Sequence, residues 1–389
     1  MMPISPLNKN TLALIQAKID NKTKPLGALG ALEPLALQLA LITEQRRQKK
    51  SSIDSYSSDD DSVNQISIKA PVMLVFAGDH GINEESVSIA PSAVTRQMVL
   101  NFLHGGAAIN CFCQSNDIAL TVIDCGILQS ISHDELPLLA DDKVNKVELI
   151  EQRLGAGTHN FSEKPAMSIT QVEQGFEHAK QLIKTKVEQG VELLLLGEMG
   201  IANTSSAAAL MSALTSFSVD ECVGRGTGIT DEQLDKKVAL IEKALQRISS
   251  LDSDTLNLTQ KEVLMLLAEL GGFEIVQMVS AILSAASLSI PVVIDGFIVT
   301  VAALVAHRLN KNVANYLIFS HVSQEKAHQS LLEELMAAQT VSDISSQPLL
   351  SLGLRLGEGT GAALSLPLIK ASASFYNNMA SFESAGVTV

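Results

Sequence analysis

The chain has 389 residues, with 28 Lys and Arg against 42 Asp and Glu and a formal charge of −14. That balance argues against a protein that grips nucleic acid by releasing counterions with cationic side chains. Hydrophobic residues make up 46% and charged ones 18%, so the chain buries a large core and most of it is not disordered. Aromatics reach only 4%, with no Trp, which disfavours stacking platforms for sugars or bases.

The opening MMPISPLNKN lacks an apolar signal-peptide core, so a reducing cytoplasmic location is expected. Residues 1–45 read as helices, ALIQAKI and LEPLALQLALI, joined by a KPLGALG turn. From Glu44 to Gln65 Ser and Asp dominate, and a basic block meets an acidic one. Such a segment cannot bury enough apolar surface to order itself, so 46–66 reads as a disordered or solvated insert.

From Ala70 onward short apolar runs end in small clusters of Gly and polar residues: PVMLVFAGDHG (71–81), LTVIDCG (120–126), VELLLLGEMG (191–200), PVVIDG (291–296) and YLIFSHVS (316–323). Runs of this kind, separated by helix-length segments, predict parallel strands covered on both faces. Each polar cluster falls at the carboxyl end of its strand, the edge where open α/β sheets bind ligands. Asp79, His80, Asp124, Glu198, Asp295, Ser320 and His321 are thereby candidates for one pocket, although each alone could simply cap the next helix. Ile275 to Ala306 is almost continuously apolar, but Pro291, Asp295 and Gly296 interrupt it and basic and aromatic flanks are missing. A buried helix followed by a buried strand fits this stretch better than a membrane span. Cys111, Cys113, Cys125 and Cys222 lack metal-ligand spacing and read as buried thiols.

Three glycine-rich elements carry the chemistry. In LLLLGEMGIANTSSAAALMSAL (193–214) a strand meets a tight turn, and Asn203, Thr204 and Ser205 are placed to cap an Ala-rich helix whose N–H groups suit an anion. GRGTG (224–228) either holds a phosphate through Arg225 or its amides, or is a plain helix-entry loop. Lys236 and Lys237 follow on a helix and point about 100° apart, so at most one faces a site. In RLGEGTGAALSLPLI (355–369) Glu358 sits between two glycines ahead of an apolar helix, where burial would raise its pKa towards that of a neutral-range base. No GxSxG elbow, P-loop or GxGxxG fingerprint after a strand occurs.

Taken in order, KPLGALGALE (24–33), AGDHGI (77–82), APSAVTRQM (90–98), GTHNFSEKPAM (157–167), GEMGIANTS (197–205), VGRGTG (223–228), LGGFEI (270–275), IDGFIVTVAAL (294–304), SHVSQEKAH (320–328) and LRLGEGTGAAL (354–364) span nearly the whole chain. Together they resemble the nicotinate-nucleotide:dimethylbenzimidazole phosphoribosyltransferase family of cobalamin lower-ligand activation. The resemblance implies a Rossmann-like α/β domain, a parallel sheet with helices on both faces, over 67–350. It adds a small helical domain built from 1–45 and the C-terminal segment 351–389, and a homodimer. It implies transfer of phosphoribose from nicotinate mononucleotide to 5,6-dimethylbenzimidazole with inversion at C1′, giving α-ribazole 5′-phosphate and nicotinate, with no metal or organic cofactor. On this resemblance Glu358 is the base, Glu198 stabilises the charge developing on the ribose, and Lys237 lies near the nucleotide. The substrate positions implied are Asp79, His80, Ala90, Met98, Gly200, Arg225, Gly226, Thr227, Gly228, Asp295, Ser320, Leu356 and Gly357.

One departure stands out. Family members commonly carry a Ser and a Gln where this chain has Ala90 and Met98, so broader selection of the base is expected. Two rival readings remain: a non-catalytic binding homologue, and an enzyme using a metal held by Asp79, His80 and Asp295.

Overall fold

The computed structural model describes residues 3–51, 65–137, 147–225, 228–249, 258–341, 344 and 347–387. Its N-terminal half contains α1 (Leu12–Asp20), α2 (Leu32–Ser51), β1 (Val72–Gly78), α3 (Ala93–Leu103), α4 (Ala108–Asn116), β2 (Ala119–Gly126), β3 (Glu148–Glu151), α5 (Ile169–Glu188) and β4 (Leu194–Met199). There follow α6 (Asn203–Leu214), the short α7 (Val219–Cys222), α8 (Asp231–Arg247), α9 (Gln260–Leu270), α10 (Phe273–Ser287) and β5 (Val292–Ile294). The chain closes with α11 (Phe297–Leu309), β6 (Leu317–Phe319), α12 (His328–Ala337), α13 (Thr360–Asn378) and α14 (Phe382–Ala385).

All six strands are parallel and lie in the order β3-β2-β1-β4-β5-β6. The order reverses between β1 and β4, which opens a crevice at their carboxyl ends. The five expected strands are present, and β1 and β4 are buried along their whole length. The sixth, β3, was not expected. It lies at the sheet edge with both ends exposed, so its sequence lacks a continuous apolar run. Helices cover both faces: a Cβ on Gly78 would meet Glu274 of α10, while a Cβ on Gly359, just before α13, would meet Met73. Met73 and Gly78 have opposite parity along β1, hence opposite faces.

The apolar stretch 275–306 resolves into most of α10, β5 and most of α11, buried except at Ser287 where α10 ends. Among the described residues no helix is long and apolar enough to cross a membrane. The reading of a solvated segment from Glu44 is corrected at both ends. Helix α2 runs on to Ser51, with Gln45 and Arg46 buried, and Ile66 is buried where the chain resumes. Arg46 hydrogen-bonds the Ser67 and Glu192 carbonyl oxygens, so the first part of the basic block is fastened to the body of the protein. Residues 52–64 of the expected insert lie outside the described residues. Of the cysteines, three are buried and Cys111 is exposed on α4.

Candidate active site

The crevice is built from the ends of β1, β4 and β5 and from the turn that enters α13. Strand β4 carries Glu198, which is buried and whose Oε2 accepts a hydrogen bond from Asn203 Nδ2 at 2.5 Å. The turn before α13 carries Glu358. Its φ is 62°, between Gly357 at 78° and Gly359 at 85°, so three consecutive residues are left-handed and only the outer two are glycines. This turn lies directly on β4: a Cβ on Gly197 would stand 2.6 Å from the Gly359 nitrogen and 2.7 Å from the Glu358 carbonyl. A Cβ on Gly357 would stand 2.5 Å from Glu198 Oε1. Glycine is thus required on both sides for the two carboxyl groups to share a pocket.

Burial dominates the electrostatics. It pushes the Glu198 carboxyl up to about 8, helped by Asp295, Glu274 and Glu358 and opposed by the Asn203 hydrogen bond. Burial, then Asp295, pushes Glu358 up to about 7. Lys237 is also buried; desolvation lowers it to about 8, opposed by Glu325, and its Nζ donates to Thr204 Oγ1 at 2.9 Å. Lys236 turns the other way, to the Glu85 carbonyl at 2.5 Å, so one lysine of the pair faces inward as their angular separation requires.

The start of α6 differs from expectation. Asn203, Thr204 and Ser205 do not cap it; the N-cap is Ala202, with no side-chain cap bond. Asn203 instead serves Glu198, Thr204 accepts from Lys237, and Ser206 Oγ lies 3.0 Å from His80 Nδ1. The first turn of α6 thus orients three site groups at once.

Other expected positions are engaged structurally. Asp79 accepts from the Leu128 N–H at 2.8 Å and is held up from the ordinary aspartate range by burial. Both His80 ring nitrogens are engaged, Nδ1 by Ser206 and Nε2 by Glu274 at 2.7 Å. Asp124, at the end of β2, folds back on the Gly126 and Ile127 N–H groups and pairs with Arg153, so it leaves the pocket. Asp295 accepts from Gly359 N–H and Ala362 N–H. Ser320 Oγ donates to the Asp295 carbonyl oxygen at 3.3 Å and lies 3.0 Å from His321 Nδ1. Arg225 closes its own loop through Ile229 and Asp231, Gly228 is left-handed, and Gly226 and Thr227 lie outside the described residues. Gly200 packs on the Gly78 carbonyl, and Leu356 is exposed at the rim. Ala90 and Met98 are half-buried, with Met98 packed on the core and Gln97 turned to solvent.

The metal set Asp79, His80 and Asp295 is not assembled. Both His80 nitrogens and both Asp295 side-chain oxygens are engaged, and among the described residues no three His, Cys, Asp or Glu groups converge on a metal position. Glu274 was not singled out beforehand. Its signal is a lone carboxylate in the apolar run of α10, where it is fully buried against His80.

Comparison with known proteins defines the class. A family model described as "Phosphoribosyltransferase" matches residues 4–387. The nicotinate-nucleotide–dimethylbenzimidazole phosphoribosyltransferase of Vibrio campbellii is 52% identical over 383 residues, covering 98% of this chain and 100% of that one. The Shewanella baltica protein of that name is 52% identical over 384 residues, covering 99% and 96%. The crystal structure of the Thermus thermophilus protein of that name superposes with a TM-score of 0.80 at 33% identity, covering 98% of this chain and 99% of that one. The chain belongs to the nicotinate-nucleotide–dimethylbenzimidazole phosphoribosyltransferase family.

Proposed function

We infer that the protein transfers the phosphoribosyl group of nicotinate mononucleotide to 5,6-dimethylbenzimidazole or a related base, in cobalamin nucleotide-loop assembly. The observation that carries this reading is full-length family membership combined with two buried, proton-holding carboxyl groups facing one crevice. A benzimidazole nitrogen attacks ribose C1′ from the face opposite nicotinate, and the C1′–N bond breaks with its electron pair returning to the pyridine nitrogen. The attacking ring becomes cationic, so its other N–H turns acidic and passes its proton to a base. Glu358, with a pKa near 7, suits that proton. Glu198 suits the positive charge on the ribose once ionised. The pyridinium of the substrate draws its pKa back down, so a carboxyl that is neutral in the empty pocket ionises as the substrate binds.

The phosphate is assigned to the start of α6. The entry of α13 is filled by Asp295, whereas α6 has no side-chain cap and has Lys237 beside Thr204. This arrangement accommodates an anionic nucleotide in a chain of charge −14. The reaction as written needs no metal or organic cofactor. A homodimer, a small domain joining the N- and C-terminal segments, and a cytoplasmic location complete the proposal. The meeting of Lys22 with Ser381 and Met379 supports the small domain.

The test follows nicotinate release and nucleoside phosphate formation from nicotinate mononucleotide and dimethylbenzimidazole. Wild type is expected to form product and Glu358→Gln to lose about 100-fold or more in kcat. Product from both would move the base elsewhere, and product from neither would remove the catalytic reading.

A further inference from the structure

The Asp295 side chain is taken up by backbone. Its Oδ2 accepts the Gly359 N–H at 3.1 Å, its Oδ1 accepts the Ala362 N–H at 3.0 Å, and the Gly361 N–H also bonds to it. All three donors belong to the entry of α13, where N–H groups have no partner within the helix and favour a negative charge. The same entry holds Glu358 in a left-handed conformation, which a side chain adopts only where its surroundings impose it. Within the turn, Thr360 also donates twice to the Gly357 carbonyl, from Oγ1 at 2.7 Å and from its backbone N–H at 3.1 Å. At 1% exposure Asp295 has little surface to offer a nucleotide.

We propose that Asp295, instead of binding substrate, is the positioning residue for Glu358: it clamps the left-handed turn through three backbone N–H groups and sets a like charge beside the Glu358 carboxyl. This rests on the reading of Glu358 as the base. Burial raises the Asp295 carboxyl, while His321 and the three N–H groups favour its charged form. Two carboxylates in dry surroundings resist ionising together, so the ionised form of Asp295 keeps Glu358 a competent proton acceptor near neutrality. The other groups facing the pair are Glu198 from β4 and His321 after β6, whose Nδ1 is 3.8 Å from Asp295 Oδ1. Behind them, Glu274 of α10 acts on Glu198, and His328 has its ring centroid 6.1 Å from that of His321 and is kept neutral by burial.

The experiment compares pH profiles of kcat/KM for wild type, Asp295→Asn, Thr360→Ala and Glu358→Gln. Asn keeps one acceptor oxygen and removes the charge. Its acid limb is expected to move about one unit to lower pH, with kcat down about tenfold or more and KM for nicotinate mononucleotide within about threefold of wild type. Thr360→Ala loosens the turn without touching the charge, so it lowers kcat and leaves the limb in place. An unmoved limb in Asp295→Asn overturns the inference even if kcat falls, because lost packing alone would do that. A large rise in KM with the limb unmoved returns Asp295 to substrate binding. Should Asp295→Asn not fold, Asp295→Ser, also uncharged and able to accept one bond, is scored by the same limb. Glu358→Gln working at the wild-type rate defeats the base reading whatever Asp295→Asn does. Glu358→Gln inactive beside an unshifted Asp295→Asn defeats this inference alone.

Discussion

Glu198 and Glu358 reach one pocket by opposite routes. Glu198 lies within the regular backbone of β4, and its orientation comes from a side chain, Asn203, five residues along. Glu358 lies in a run of three left-handed residues; Thr360 bonds across it locally, but the groups that hold it against the sheet come from elsewhere in the chain: Asp295, 64 residues before Gly359, and the bare backbone of Gly197. The first carboxyl is placed by a local device and the second by tertiary packing. Their burial is similar and so is the direction of their pKa shifts. The same electrostatic outcome is therefore obtained once cheaply and once at a cost in backbone strain.

If that contrast holds, the contact between the two regions is their most sensitive point. Gly197→Ala places a Cβ against the Glu358 and Gly359 backbone, neither of which is the flexible end of a side chain. The turn must then lift off β4, and a displacement of about 1 Å in a catalytic group costs on the order of 100-fold. We expect Gly197→Ala to lose at least that much kcat while remaining folded, as judged by circular dichroism. Near-wild-type turnover would mean that the turn adapts freely and is not held by β4. Glu198→Gln comes next, with kcat down about 100-fold and KM less affected, because a charge needed mainly in the transition state is removed.

The locally held carboxyl should respond to loss of its neighbour in a defined direction. The Asn203 hydrogen bond lowers the Glu198 pKa, so Asn203→Ala raises it further. Ionised Glu198 is then reached only at higher pH, and the acid limb of kcat/KM moves upward, with a loss of about tenfold at neutral pH. The limb moves in the opposite direction to that expected of Asp295→Asn. Equal shifts of the same sign in the two variants would erase the distinction between the regions.

This distinction also marks what was legible in the sequence. Strands β1, β2, β4, β5 and β6 could be read because burial on both faces leaves continuous apolar runs, while β3 escaped because an edge strand needs no such run. Glu198 and Glu358 were visible as charges among glycines at strand and helix ends. Their supports were not. Ser, Thr and Asn at a helix start look the same whether they cap the helix or turn outward, and only the packed structure shows Asn203 on Glu198 and Ser206 on His80. Asp295 looked like a pocket carboxylate because its strand position is correct; its partners lie more than 60 residues downstream, beyond any local pattern.

Stability offers a further separation. Both carboxyls have folded-state pKa values above those of an unfolded chain, so the folded protein holds extra protons between about pH 4.5 and 8. Their contribution is complete below the unfolded value and is lost as pH rises through about 7 for Glu358 and about 8 for Glu198. Glu358→Gln and Glu198→Gln are expected to match wild type at pH 5 in urea unfolding and to exceed it at pH 9 by on the order of 1 kcal/mol or more. No gain at pH 9 would mean that neither carboxyl is strained by ionisation in the empty pocket.

The smallest effect concerns a wall that touches neither carboxyl's support. On the family resemblance, Ala90 and Met98 stand where a hydroxyl and an amide are expected beside the base, and Gln97 faces solvent. If they line the base site as proposed, a wall of methyl and thioether groups holds a flat base by contact alone, and without a directional hydrogen bond it separates related bases weakly. Substituting Ala90→Ser together with Met98→Gln is expected to sharpen the preference for dimethylbenzimidazole over plain benzimidazole or adenine by a few-fold, about 1 kcal/mol. The pH limbs set by Glu198 and Glu358 should stay where they are. Competition between bases at fixed nicotinate mononucleotide measures the first, and the pH profile the second. Strict selection by the wild-type protein would show that shape alone suffices at this wall, whereas a moved limb in the double variant would tie base recognition to the proton transfer itself.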